Sequence, residues 1–561
     1  MNTPAPEIRA KKTSGVFQAV SLFFFFFFSL FTLFLFSNRP LVAEPWQWAD
    51  DGLYAETARA IVSWPTNGFS DPWLGEYTPH LLSKSPGFAC VVAVAHLCGL
   101  PLRWVEYAPL FIACFVFMRA IGLSPLRSPW IASFIVFILG WSLYFPTATR
   151  LVRQPLSSAF VILSLTLLIG SIVRARDPKA RCGFWFIIGS LSVGISQVIR
   201  EENVWIYAPF FLAALWLVLL THWKKWGPVI LSGALLTQVP SLAISFLNWS
   251  SYGVFFVSQR TDSEYMRVYK RLATLKPHPN LPFVVIDQAQ RLKVYEVSPT
   301  LRELQPFLEG PLGDEFASNP GHLTLNRRPA NEREFFVSTL EFSIQRAVFA
   351  AGYRDAMAYR AFFKRANMEL DEALAKGQLM TSGYSLSNLA PIKPGDLILF
   401  AKATMQSLWQ NLSFTSVRIR HDIPENNQDE KSIVMVNLTG ERTNSSSLQW
   451  RMLTACEPFA RTLQQGVFLL SFAATAVILA YGLIQKSWND LNAAAIVVLC
   501  ASLCFAAVMA CLDVWGFAHL RWNSAYNAQG ICLFNLFSAV TLASTLAHLS
   551  KRAEKQKSVT S

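Results

Sequence analysis

The sequence predicts an all-α polytopic membrane protein of about ten transmembrane helices, with an inserted extracytoplasmic domain that is α/β or mainly helical. Three observations carry this prediction. Of 561 residues, 52% are hydrophobic and 15% charged, with a mean hydropathy of +0.32, a balance unlike that of ordinary soluble domains. Apolar runs of about 20 residues, the length that crosses a bilayer core, recur at both ends of the chain. Between them, residues 249–461 are polar and contain no run of that length.

Charge and cysteine usage exclude other classes. The net charge of +13 resides largely in short Lys and Arg clusters beside apolar segments. That is the pattern of cytoplasmic loops rather than of a nucleic-acid groove, so no nucleic-acid partner is expected. The nine cysteines lie in or beside apolar segments, and none falls between Cys182 and Cys456. Without CxxC or His-rich spacing, neither a disulfide framework nor a cysteine zinc site is supported.

Residues 1–248 read as an N-terminal transmembrane module. Its first run, 16–36, follows Arg9, Lys11 and Lys12. It is too long for the apolar region of a cleaved signal peptide, so it reads as a retained helix with the N-terminus cytoplasmic. The low-complexity phenylalanines at 23–28 face lipid. A first outer loop, 38–103, opens with helical spacing over 49–64, where Leu53, Ala58 and Ile61 share a face and Asp50 lies one turn before Tyr54. Pro65, Asn67-Gly68 and Asp71-Pro72 end that helix. The next apolar run, 86–100, is shorter than the ~20 residues of a crossing.

Loop charges decide how that short run is read. If it does not cross, the run 104–121 goes inward and leaves Arg119 and Arg127 inside. Residues 130–147 then go outward, and 155–173 return to Arg174, Arg176, Lys179 and Arg181. Residues 184–199 lead out to Arg200-Glu201-Glu202, 204–221 lead back to Lys224-Lys225, and 226–247 go out again. A crossing at 86–100 reverses every cluster, so the positive-inside rule favours a non-crossing segment. Within 249–461, residues 283–286 read as a short strand and 331–377 as helical. Residues 462–561 supply three spans, 462–484, 491–511 and 526–549, and a cytoplasmic tail with Lys551, Arg552, Lys555 and Lys557.

This topology gathers polar residues at the outer face. They are Asp50-Asp51, Lys84, Arg150 with Arg153, Arg200-Glu201-Glu202, and His519-Leu520-Arg521-Trp522-Asn523. Carboxylates facing several cations beside a bilayer suit a reaction with an anionic, lipid-linked leaving group. The carboxylate takes a proton from an acceptor hydroxyl, and the cations neutralise the departing phosphate.

The order of these features resembles the C-type (GT-C) glycosyltransferase superfamily, in its protein O-mannosyltransferase and lipid A aminoarabinose transferase branch. The acidic helix after the first span is matched by Asp50-Asp51-Gly52-Leu53-Tyr54 with Ala58-Arg59. Lys84-Ser85-Pro86-Gly87 is similar to the family's Lys-Pro-Pro segment. Arg521-Trp522-Asn523-Ser524-Ala525-Tyr526 resembles its late arginine element, with Ala where Pro is usual, and Asn248 followed by Tyr252-Gly253 fits as well. The resemblance spans about the first 250 residues and the last three spans, and leaves 249–461 unassigned. It implies a GT-C-like fold and a hexosyl or pentosyl transfer, with inversion, from a polyprenyl-phosphate sugar donor to an acceptor on the extracytoplasmic face. Location in a bacterial inner membrane with both termini cytoplasmic follows from the same reading. By the resemblance Asp50 is the base and Asp51 its acidic neighbour. Lys84 and Arg521 face the carrier phosphate, and Arg150, Arg153 and Arg200 complete the candidate carrier-binding set. The second outer loop, 149–158, departs from the family in having no acid and two arginines. That argues against a bound divalent metal and gives charge neutralisation to Arg150 or Arg153.

Plainer readings compete at each position. Asp50 and Asp51 suit the start of a helix, Lys84 suits a snorkelling interfacial lysine, and the glutamates suit a local ion-pair cluster with Arg200. His80, His96 and His519 lack ligand spacing, and Trp48, Trp73, Trp104 and Trp522 form an aromatic belt. The sequons at Asn248, Asn411, Asn437 and Asn444 carry no weight by themselves. The rival functions are a transporter or flippase of lipid-linked saccharides and a catalytically inactive GT-C relative. The former expects symmetric halves and charges within spans, whereas the acids nearest a late span reduce to Asp513.

Overall fold

The computed structural model describes residues 50–121, 151–175, 182–221, 223–277, 284–317, 337–381, 396–413 and 490–511, with isolated positions elsewhere. In chain order the helices are α1 (Asp50–Thr66), α2 (Gly87–Leu97), α3 (Leu102–Ala120), α4 (Gln154–Val173) and α5 (Cys182–Ile199). A 3-10 turn over Glu201–Ile206 leads into α6 (Tyr207–Thr221) and α7 (Trp223–Tyr252). Then come α8 (Ser263–Ala273), α9 (Gln288–Val297), α10 (Pro299–Arg302), α11 (Gln305–Leu308), α12 (Pro311–Ala317), α13 (Val337–Ala350), α14 (Ala356–Ala375), α15 (Asp396–Ser413) and α16 (Asp490–Cys511).

Five of the described helices are long and apolar enough to cross a membrane, or six if α2 and α3 count as one bent span. The chain is thus a multi-pass helical membrane protein. These helices coincide with the runs at 104–121, 155–173, 184–199, 204–221, 226–247 and 491–511. The expected spans at 16–36, 130–147, 462–484 and 526–549 lie wholly or largely outside the described residues, as do Arg150 and Arg521. At 11 residues α2 is about 16 Å long, half the thickness of a hydrocarbon core. A bend of 112° then redirects the chain into α3. Alone, α2 is therefore too short to cross.

Helix α4 is the centre of the bundle. Apolar on all sides, it has nearly all of its residues buried, as suits a helix without a polar face. It packs against α3, α5, α6 and α16, and α5 packs in turn against α7. The α5–α7 approach is close enough that a Cβ on Gly194 would lie 2.4 Å from the Thr237 carbonyl oxygen.

The described residues of 263–381 build a second lobe with its own core, in which Tyr265, Tyr269, Tyr359, Phe316 and Phe363 are fully buried. Its described residues are helical. Among the described residues β pairing is limited to isolated bridges such as Leu275 with Thr381. Of the strand expected over 283–286, the described residues 284–286 form no strand beyond an isolated bridge at Val284. Val284, Val285 and Ile286 are buried as plugs in this lobe, where apolar contact rather than a ladder accounts for their composition. The helical stretch at 331–377 is two helices, α13 and α14. Gly352 turns the chain at φ +102°, and Asp355 restarts it by accepting from the Ala358 N–H at 2.7 Å.

Candidate functional site

The site is assembled where α1, the Lys84 segment, the α5–α6 turn and α13 meet. Tyr54, Ala55 and Ala58 on α1 pack with Phe88, Ala89 and Val92 on α2, and the Tyr54 and Phe88 rings meet edge to face at 5.1 Å. This contact brings the first turn of α1 beside the residues that precede α2. Asp50 and Asp51 both occupy that turn, where the helix dipole favours a carboxylate. Asp51 is fully buried, whereas Asp50 stays partly accessible, its side chain 22% exposed.

Lys84 is the partner of Asp50, with Nζ 3.4 Å from Oδ1. Its position follows from the residues after it. The Ser85 N–H donates to Glu201 Oε1 at 2.6 Å, and the Ser85 hydroxyl donates to the Val198 carbonyl. At Gly87 an added Cβ would sit 2.1 Å from that same carbonyl oxygen. The Lys84-Ser85-Pro86-Gly87 segment is therefore pressed against the end of α5, and glycine is what permits the approach.

Behind the pair lies a buried network of arginines and glutamates. Arg153, 3% exposed, donates to Glu201 Oε2 at 2.7 Å and Glu202 Oε1 at 2.9 Å. Glu202 Oε2 also lies 3.5 Å from Arg200 Nε. Arg260 reaches Glu202 Oε1 at 3.3 Å and grips Glu341 through Nε and Nη2 at 2.9 to 3.2 Å. The glutamates are thus not merely a local cluster with Arg200, because they tie together α4, the α5–α6 turn and the second lobe. Arg153 and Arg200 already face carboxylates, so an anion reaches them only by joining this network.

Arg260 and Glu341 were not among the expected site residues. Glu341 stands as the one acid in the otherwise apolar and neutral run over 335–345, a signal that a burial requirement leaves in a helix. Arg260 is delivered by a local fold-back. Asn248, fully buried near the end of α7, accepts from Trp73 Nε1 at 3.0 Å and donates to the Phe256 carbonyl at 2.7 Å. The Tyr252 hydroxyl donates to the Gly75 carbonyl at 2.7 Å, and the Gln259 N–H donates to that of Leu82 at 2.7 Å. These bonds lay residues 254–260 along 73–82 and set Arg260 near Lys84.

Electrostatics sharpen the role of Lys84. Burial lowers its pKa, Arg260 and Arg153 lower it further, and Asp50 and Glu202 oppose them. The ammonium also lies 5.7 Å from the Phe342 ring centre, a favourable placement for a cation. Tyr54, wholly buried, has its pKa raised, first by burial and against the pull of Arg153. It therefore stays a neutral hydroxyl. Among the described residues no three His, Cys, Asp or Glu side chains are grouped as metal ligands.

His80 sits behind Lys84 with Nδ1 2.9 Å from Gln345 Oε1 and its ring 5.3 Å from that of Phe342. Burial pushes its pKa down to about 4, against the Gln345 hydrogen bond. It is neutral at pH 7 and structural. Because the folded value is below the unfolded one of about 6.5, this site favours folding above pH 6.5 and loses that contribution as pH falls toward 4. Thermal unfolding in detergent is expected to show a falling midpoint over this window, and His80→Gln should flatten that part of the profile.

No protein-family model and no curated protein matches the chain. Two solved structures are similar in path, the crystal structures of ArnT from Cupriavidus metallidurans in the apo state and bound to undecaprenyl phosphate. Identity is 12%, the TM-scores are 0.31 and 0.32, and the alignments cover 93% of this chain and 78% of that one. What that protein binds is a property of that protein.

Proposed function

We propose that this protein is an integral-membrane glycosyltransferase that moves a sugar from a polyprenyl-phosphate carrier to an acceptor hydroxyl on the extracytoplasmic face. The observation that carries the proposal is the Asp50–Lys84 pair, a partly accessible carboxylate held 3.4 Å from a mostly buried ammonium, at the positions where the sequence resembles the GT-C acidic helix and lysine segment. A lysine whose charge is disfavoured by burial and by two nearby arginines is a receptor for an anion, since an arriving phosphate relieves that penalty.

In this reading the carrier phosphate pairs with Lys84 and loosens its hold on Asp50. Asp50 then takes the proton of the acceptor hydroxyl as the oxygen attacks the anomeric carbon. The bond from that carbon to the phosphate oxygen breaks on the opposite face, so configuration inverts. Both electrons of that bond leave with the polyprenyl phosphate, whose new negative charge faces Lys84 and Arg260. Asp51, buried behind Asp50, is a positioning acid. Arg521 and Arg150 are proposed as further phosphate-facing cations.

The test is an assay of purified protein with polyprenyl-phosphate sugars, reading release of polyprenyl phosphate by mass spectrometry. Lys84→Met is expected to weaken carrier binding about 10-fold or more, as removal of a buried charge partner does. Binding to the unmodified protein should also weaken as pH rises through the lowered Lys84 value, at less alkaline pH than for a free lysine, and this dependence should vanish in Lys84→Met. No release from any lipid-linked sugar, with unchanged binding in Lys84→Met, would sink the proposal.

A further inference from the structure

We infer that α15 is embedded in the bilayer, with an exposed apolar face that contacts lipid acyl chains. The segment belongs to the polar stretch 249–461, yet its exposed positions include the apolar Leu397 (63%), Ile398 (78%), Leu399 (55%), Met405 (66%) and Trp409 (68%). Ile398, Met405 and Trp409 fall on one helical face, seven and four residues apart. Exposure of this extent matches the outward residues of the crossing helices, such as Leu219 at 71% and Leu235 at 63%. A water-facing helix presenting such a stripe would leave a large apolar patch uncovered.

Two packing contacts identify lipid as the occupant. The opposite face of α15 packs along α16, a membrane-crossing helix. Phe400, near its start, packs on the core of the second lobe, while Leu408, two turns later, packs on the core of the transmembrane bundle. The helix therefore runs from the lobe onto the side of the bundle, and its exposed stripe continues the apolar surface of the spans. Lys402 is exposed on the same side. It lies in the half nearer the lobe, where a flexible stem reaches the head groups. The inference does not depend on the proposed chemistry. It gives the second lobe an attachment to the membrane besides its chain connections.

The test places a nitroxide amino acid singly at Ile398 or Met405 in the full chain, reconstituted in vesicles of phosphatidylethanolamine and phosphatidylglycerol. Relaxation by oxygen, which partitions into lipid, is compared with relaxation by a water-soluble nickel chelate. Leu235 on α7 serves as the lipid reference and Met368 on α14, 65% exposed, as the lobe reference. The expected result is a shift of the oxygen-to-nickel ratio at both positions to that of Leu235. A ratio like that of Met368 would overturn the inference by placing the stripe in water. Low access to both reagents would also overturn it, by showing a protein partner on that face.

Discussion

Asp50→Asn is expected to reduce sugar transfer by about 10²–10⁴-fold, the contribution typical of a positioned general base, while the protein remains folded in the membrane. The amide keeps the shape of the carboxylate and a hydrogen-bond acceptor toward Lys84, so the first turn of α1 has no steric reason to move. Carrier binding should persist and strengthen, because Lys84 loses its resident anion and pairs fully with the phosphate. A rise in carrier affinity together with a fall in turnover separates loss of a base from damage to the fold. Wild-type transfer by Asp50→Asn would remove Asp50 from the chemistry and leave its carboxylate as a charge partner only.

Glu202→Gln is expected to give the largest loss of stability. This one carboxylate lies within ion-pair distance of Arg153, Arg200 and Arg260, and the first two side chains are each 4% exposed. Removing one partner of a buried ion pair costs about 3–5 kcal/mol; Arg153 and Arg260 retain Glu201 and Glu341, so the loss falls chiefly on the Arg200 contact and lies toward the lower end of that range. Thermal unfolding in detergent should show a clear drop in midpoint. Glu372→Gln, which breaks the exposed pair with Lys376, should leave the midpoint unchanged within error, as surface pairs do. Equal midpoints for the two variants would mean that the network is hydrated in solution.

How much of this was legible in the sequence depended on whether the cause was local. The crossing helices were readable because hydrophobic length is a property of a single run. Asp50 and Lys84 were readable as candidates because each stands in a short motif beside an apolar segment. Their pairing also needed Gly87, whose missing side chain lets the Lys84 segment reach the end of α5. The glutamates misled in part. Their sequence neighbour Arg200 is a partner, but Arg153 and Arg260 reach them from 48 and 58 residues away, and spacing alone holds no trace of that. The run at 283–286 looked like a strand because burial and strand formation select the same β-branched residues. Helix α15 hid within a polar stretch because Lys402 and Gln406 dilute a stripe that shows only when exposure is mapped in three dimensions.

The grip of Glu341 on Arg260 has a consequence for how the protein is made. Arg260 leaves the ribosome 81 residues before Glu341. At synthesis rates of about 5–20 residues per second, that interval is on the order of ten seconds. Throughout it, Arg260 lacks the carboxylate that holds it in the finished structure. A nascent chain translated past α7 and through Arg260 therefore carries an incompletely neutralised centre until Glu341 arrives. The chain's own later segment closes it, so assembly of the pocket is deferred until the second lobe has been translated and has docked.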